Sequence, residues 1–181
     1  MNPSESSLPD NMLTALNQAL CLPPDLSIAV AIPCYNEQIA IATVIRDFHA
    51  VLPNAAIFVY DNNSSDETIN VARAAGAVVR REALQGKGNV VRRMFADIEA
   101  DVYVLVDGDD TYDAASAPTL VKKLFDEQLD MVNGARITEP AGAFRPGHRF
   151  GNHLLTSIVG QIFGNYFDDL LSGYRVLSRR S

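Results

Sequence analysis

VYVLVDGDDTYD, residues 102–113, is the stretch on which the fold turns. An apolar run, Val102–Val106, leads directly into Asp107, Asp109, Asp110 and Asp113. A Val-rich run of this length, between polar segments, predicts a strand buried on both faces, as in parallel sheets. Its carboxylates then stand just past the strand, at the carboxyl edge where open α/β sheets bind ligands. Carboxylates packed this closely repel unless a proton or a cation compensates. Oxygen-only donors suit Mg2+ or Mn2+, and Mg2+ commonly takes one or two carboxylates together with substrate phosphate oxygens. A plainer reading stays open for single residues, because Asp113 or Ser116 can cap the next helix.

Outward from this strand, apolar runs and helical patterns alternate. Strands are predicted at Ser27–Ile32, Ala56–Tyr60, Ala77–Arg80, Met131–Ala135 and Tyr174–Leu177. Helices are predicted over Ile39–Leu52, from Asp66 to Ala75 with Gly76 as the stop, after Gly86-Lys87-Gly88 to about Ile98, and from near Pro118 to about Gln128. Such alternation implies right-handed parallel crossovers and an open, mostly parallel α/β sheet flanked by helices. Residues 1–25, with a short helical pattern at Met12–Leu20 and a Pro23-Pro24 break, read as a tail or docking helix; residues 26–181 read as one domain. Thr138–Gly147 reads as a loop. Leu154–Phe167 is apolar but too short to span a bilayer, so it suits a core or interfacial helix. Because the chain stops on a strand pattern, truncation at the C-terminus is expected.

Composition excludes several classes. The chain has 181 residues, 48% of them hydrophobic and 20% charged, ordinary values for a globular domain. Two cysteines, Cys21 and Cys34, have no metal-type spacing and indicate no disulfide framework, which fits a reducing cytoplasmic setting. The first residues lack the basic start and long apolar core of a secretory signal. Net charge is −7, yet from Arg136 onward six arginines face only Glu139, Asp168 and Asp169. That part is basic while the rest is acidic, so an anionic ligand or membrane surface is expected at the C-terminal part. No nucleic-acid partner is expected.

Three predicted strands end in polar clusters: Asn36-Glu37, Asp61 to Asp66, and Asp107 to Asp110. A parallel sheet brings those ends to one edge. Carboxylates there suit ribose hydroxyls and base donors, and Gly86-Lys87-Gly88 offers backbone amides and an ammonium to a phosphate. The motif is not a P-loop, since GxxxxGK[ST] is absent.

IPCYNE (32–37), YDNNSSDET (60–68), QGKGN (85–89), VDGDD (106–110), NGAR (133–136) and DLLSGYR (169–175) occur in that order. Together they resemble family 2 glycosyltransferases of the GT-A fold, most of all the dolichyl- or polyprenyl-phosphate sugar synthases. The resemblance implies a UDP- or GDP-linked sugar donor, Mg2+ or Mn2+, and a polyprenyl phosphate acceptor at the cytoplasmic face of the membrane, in cell-envelope glycan synthesis. It implies that Pro33, Tyr35 and Glu37 line the nucleotide pocket, that Asp61 contacts the base, and that Gly86 and Lys87 lie near the nucleotide. Asp107 would reach ribose or metal, and Asp109 would be the main metal ligand. Arg136 and the segment Ser172 to Arg175 would face the diphosphate and the acceptor, and Asp169 matches the acidic residue before that segment, an organiser as plausibly as a catalyst; Asp109, Asp169, Arg136 and Arg175 are counted as catalytic. Thr111 stands where relatives often carry a Gln.

Other readings are a family 2 enzyme acting on a hydroxyl acceptor and a non-catalytic nucleotide-sugar-binding subunit. Asp107-Gly108-Asp109-Asp110-Thr111 also fits the DxDxT motif of haloacid-dehalogenase-type phosphatases. There the motif normally follows the first strand and a lysine comes downstream, whereas no Lys occurs after Lys123.

Overall fold

The structure, a computed structural model, describes residues 22, 23, 25–134 and 173–180. The expected helices at Met12–Leu20 and Leu154–Phe167, the loop Thr138–Gly147, and Cys21, Arg136, Asp169 and Ser172 lie outside the described residues.

Among the described residues, six strands form one sheet: β1 (Ile28–Cys34), β2 (Ala56–Asp61), β3 (Val78–Arg81), β4 (Val102–Leu105), β5 (Met131–Asn133) and β6 (Arg175–Ser178). Their order across the sheet is β3-β2-β1-β4-β6-β5. The contacts β1–β2, β1–β4 and β2–β3 are parallel, while β6 runs antiparallel to both β4 and β5. The predicted mostly parallel sheet is therefore present. Its last strand inserts antiparallel between β4 and β5, an arrangement that a pattern of alternating elements does not convey.

The helices among the described residues are α1 (Ile41–Val51), α2 (Thr68–Ala74), α3 (Lys87–Asp97) and α4 (Ala117–Asp126), with a 3₁₀ turn at Ala114–Ser116 before α4. Period-2 alternation divides the strand residues between two apolar layers. Val30, Ile32, Val104, Val106 and Val176 pack with Ile41, Ile45 and Phe48 of α1 and Val121 and Leu124 of α4. Ala29, Ala31, Tyr103 and Leu105 face the other way, with Val90 and Met94 of α3. Central strands covered on both faces have no polar positions to alternate, which is why they read as continuous apolar runs.

Helix ends follow local chemistry. Gly76 closes α2 at φ +94° with the Schellman pair, Gly76 N–H to Arg73 C=O and Ala77 N–H to Ala72 C=O. The Asp113 carboxylate accepts from Ala115 N–H at 3.0 Å, so this acid is a cap, the plainer of the two readings. Ser116 makes no such cap; its hydroxyl donates to the Asp113 carbonyl instead.

Candidate functional site

The sheet order contains a switch point. From β1 the chain steps outward to β2 and β3, then returns to place β4 on the other side of β1. Loops leaving β1 and β4 must therefore diverge in opposite directions and open a crevice. Register records the opening: β1 pairs with β4 only up to Ala31–Leu105 but with β2 as far as Cys34–Asp61. Pro33 lies beyond the end of β4 pairing, where its missing N–H costs no ladder bond.

A cleft of about 360 Å³ occupies this position. Pro33, Tyr35 and Glu37 line it from the β1 side, Asp107 and Asp109 from the β4 side, and Gly86 and Lys87 from the start of α3. Seven residues expected at a nucleotide site from their motifs are thus gathered around one cavity. Tyr35 is 53% exposed, an aromatic face open to solvent beside the cleft.

Three loop residues adopt left-handed backbone, Asn36 (φ 56°), Asn63 (φ 69°) and Asp110 (φ 60°), one after each of β1, β2 and β4. Asn and Asp tolerate this region better than other side-chain-bearing residues. The β1 and β2 loops are also cross-bonded. Asn36 N–H donates to Ser64 Oγ at 2.8 Å while the Asn36 side-chain oxygen accepts from Ser65 N–H at 2.8 Å. Glu37 N–H donates to Thr68 Oγ1, and that hydroxyl donates to the Asp66 carboxylate. The backbone carrying Tyr35 and Glu37 is thereby fixed against α2.

Asp61 has a different setting from the rest. It is fully buried, its carboxylate accepts from Asn63 and Ser64 N–H and meets Arg81 at 3.6 Å, and it is not among the cleft-lining residues. Its neighbour Asn62 lines the cleft. The Asn62 amide donates to the carbonyls of Glu82 and Leu84 and accepts from Gly86 N–H at 2.7 Å. That clamp sets Gly86, at φ +122°, and so aims Lys87 at the head of α3. Sequence reasoning did not single out Asn62, although it falls inside the YDNNSSDET motif.

Charge is concentrated at the cleft floor. The Lys87 ammonium bonds the Asp107 carboxylate. One Asp109 oxygen accepts from Thr111 N–H at 3.1 Å, which orients that carboxylate. Burial, then Asp109, Asp107 and Asp66, push the Glu37 carboxyl above its ordinary range. The Cys34 thiol beneath is pushed up strongly by burial first and by Glu37, Asp61, Asp107 and Asp109 after it. Among the described residues, no three His, Cys, Asp or Glu side chains are grouped closely enough to hold a metal alone. Two hard-oxygen carboxylates in one cleft, under a negative potential that already lifts Glu37, do fit a divalent cation sharing its shell with a diphosphate.

Gly173 returns from the far end of the chain to the back of Asp107. A Cβ at 173 would run into the Asp107 carboxylate. Tyr174, expected to face the donor, turns into the core instead: it is 2% exposed and packs edge-on to Phe48 and against Tyr112. Arg175 lines a separate depression of about 670 Å³ beside α3, which shares Lys87 with the first cleft.

A family model, "Glycosyl transferase family 2", matches residues 29–180. The chain belongs to this family. Protein RfbJ of Shigella flexneri is 58% identical over 124 residues, which is 68% of this chain and 96% of that protein. A dolichyl-phosphate hexose transferase of Haloferax volcanii is 31% identical over 152 residues, 84% of this chain and 66% of that one. Among solved structures, glucosyl-3-phosphoglycerate synthase from Mycobacterium tuberculosis in complex with Mn2+ and UDP-glucose superposes with a TM-score of 0.65 at 22% identity. That likeness covers 98% of this chain and 62% of the synthase, and the shared fold is GT-A. The chain spans nearly all of RfbJ but less than two thirds of the synthase.

Proposed function

We propose that this family 2 glycosyltransferase moves a sugar from a nucleoside-diphosphate donor to a polyprenyl phosphate, with inversion at the anomeric carbon. The observation that carries the donor half is the crevice at the β1/β4 switch point, with the carboxyl groups of Glu37, Asp107 and Asp109, the Lys87 ammonium and the exposed Tyr35 around it. Tyr35 and Pro33 flank the nucleoside, Asp61 acts at the base end through the turn that presents Asn62, and Lys87, started from the Gly86 turn, attends the diphosphate. Asp107 and Asp109 would hold Mg2+ or Mn2+, which neutralises charge on the leaving diphosphate.

In the reaction an acceptor phosphate oxygen bonds the anomeric carbon as the bond to the donor's diphosphate oxygen breaks. A phosphate monoester has its second pKa near about 6, so the acceptor is largely ionised at neutral pH and needs no protein base. Arg136, Asp169 and Arg175 serve the acceptor side in this reading. Support for a lipid phosphate comes from the dolichyl-phosphate hexose transferase among the relatives and from the basic balance after Arg136. Among the described residues no helix is long and apolar enough to cross a membrane.

The test is transfer from UDP- and GDP-linked sugars, with Mg2+, Mn2+ or chelator, to a polyprenyl phosphate and to soluble hydroxyl acceptors. Metal-dependent transfer to the lipid phosphate is expected. Asp109→Asn should lower it by at least the roughly ten- to hundredfold that metal-site changes cause. Efficient transfer to the soluble acceptor alone would favour a hydroxyl-directed family 2 enzyme. Donor binding without any transfer would favour a binding subunit.

A further inference from the structure

Lys87 stands where the two depressions meet and lines both. Its ammonium bonds Asp107, one of the two carboxylates that the proposed function gives to the divalent ion. Both partners are placed from outside the pair. Gly173 backs Asp107, and the Asn62–Gly86 bond fixes the turn from which Lys87 starts α3. At this edge of the sheet Lys87 lines the cleft and pairs with Asp107, while Arg81 meets the buried Asp61, which does not line it.

A divalent ion that takes Asp107 must compete with an ammonium already seated there. We propose that Lys87 is a built-in counter-ion for Asp107: it holds the carboxylate before the donor arrives, yields it to the divalent ion, and moves to the donor's diphosphate. This rests on the metal-dependent reading of Asp107 and Asp109. Lysine suits the role because its charge is compact, rotatable and carried on a flexible stem, whereas a guanidinium fork would grip the carboxylate in two places. Metal alone then binds weakly, since it must break the pair with nothing to offer the released ammonium. A diphosphate gives both cations a new partner, so metal and nucleotide bind cooperatively, each raising the other's affinity by the same factor.

The side chains of the pair are partly exposed, 52% for Lys87 and 23% for Asp107, so solvent screens it and the competition is modest, about fivefold. The experiment is a titration of Mn2+ followed by the paramagnetic resonance of the free ion, without nucleotide and then with UDP or GDP. Lys87→Met should bind Mn2+ alone about fivefold more tightly than the wild type, yet lose most of the cooperativity between Mn2+ and nucleotide. Lys87→Arg should keep the weak binding of Mn2+ alone. Thermal unfolding checks that each variant folds, and Lys87→Gln makes the same comparison should the Met variant fail to. Unchanged or weaker Mn2+ binding by a folded Lys87→Met protein would overturn the counter-ion role. No Mn2+ binding by any protein, even with nucleotide, would overturn the metal-dependent reading and this inference with it.

Discussion

Gly173 and Asp107, 66 positions apart, touch so closely that no side chain fits between them. A Cβ built on Gly173 would also lie 2.6 Å from the Asp107 Cγ, closer than real Cβ atoms come to any neighbour. The obstacle is the end of a rotatable side chain and not backbone, so the cheap response is for Asp107 to swing away. Gly173→Ala should therefore leave the fold nearly as stable as before while displacing Asp107 from Lys87 and from the cleft. The expected result is a roughly tenfold or greater loss of metal-dependent nucleotide affinity, measured by calorimetry, with a small change in Tm. A large drop in Tm with unaltered affinity would place the cost in the fold instead.

Gly108 has a stiffer neighbour. A Cβ there would lie 2.6 Å from the buried Cys34 Sγ, with Ile32 and Ile41 at 3.4 and 3.5 Å behind it. All three neighbours are buried in the apolar layer, so overpacking should cost about 1–3 kcal/mol in Gly108→Ala. Cys34→Ala removes the sulfur that causes the clash. Denaturant unfolding of the two single variants and the double should thus show non-additivity, the double being more stable than the sum of its parts. Strict additivity would mean that the strain is relieved elsewhere.

The cleft was legible in the sequence because each of its parts lies at the end of a strand that is itself easy to read. Val102–Val106 and Ser27–Ile32 are buried on both faces, so composition alone reveals them, and Tyr35, Glu37, Asp107 and Asp109 follow within a few residues. What stayed hidden depends on contacts between distant segments. Direction is absent from a strand pattern, so nothing in RVLS announces that β6 runs antiparallel between β4 and β5. The Asn62 clamp takes its partners 20 to 24 positions downstream, from backbone groups that any residue could supply. Tyr174 belongs to a motif that suggests a ligand, but its aromatic ring fills the layer against Phe48, while Gly173 beside it backs Asp107. Asp61 is expected at the base from its motif, yet two amides of its own turn and Arg81 bond its carboxylate.

Glu37 gives the site a pH signature whose sign can be worked out. Its carboxyl is raised in the folded protein, by burial and then by Asp109 and Asp107, so the folded state binds the proton more tightly than the unfolded state does. Below the ordinary glutamate range, about pH 4, both states are protonated and the shift contributes nothing. As pH rises through the window from that range to the raised value, the unfolded state ionises first and gains stability relative to the folded one. Above the window the cost is complete. Glu37→Gln removes the ionising group, so its Tm should exceed that of the wild type near neutral pH and converge with it on acidification. A divalent ion among Asp107, Asp109 and the diphosphate would offset the repulsion that Glu37 feels. Mn2+ with a nucleoside diphosphate should then narrow the neutral-pH gap between the two proteins. Melting curves across pH, with and without Mn2+ and UDP, read both effects; a gap equally wide at acidic and neutral pH would assign it to packing and not to charge.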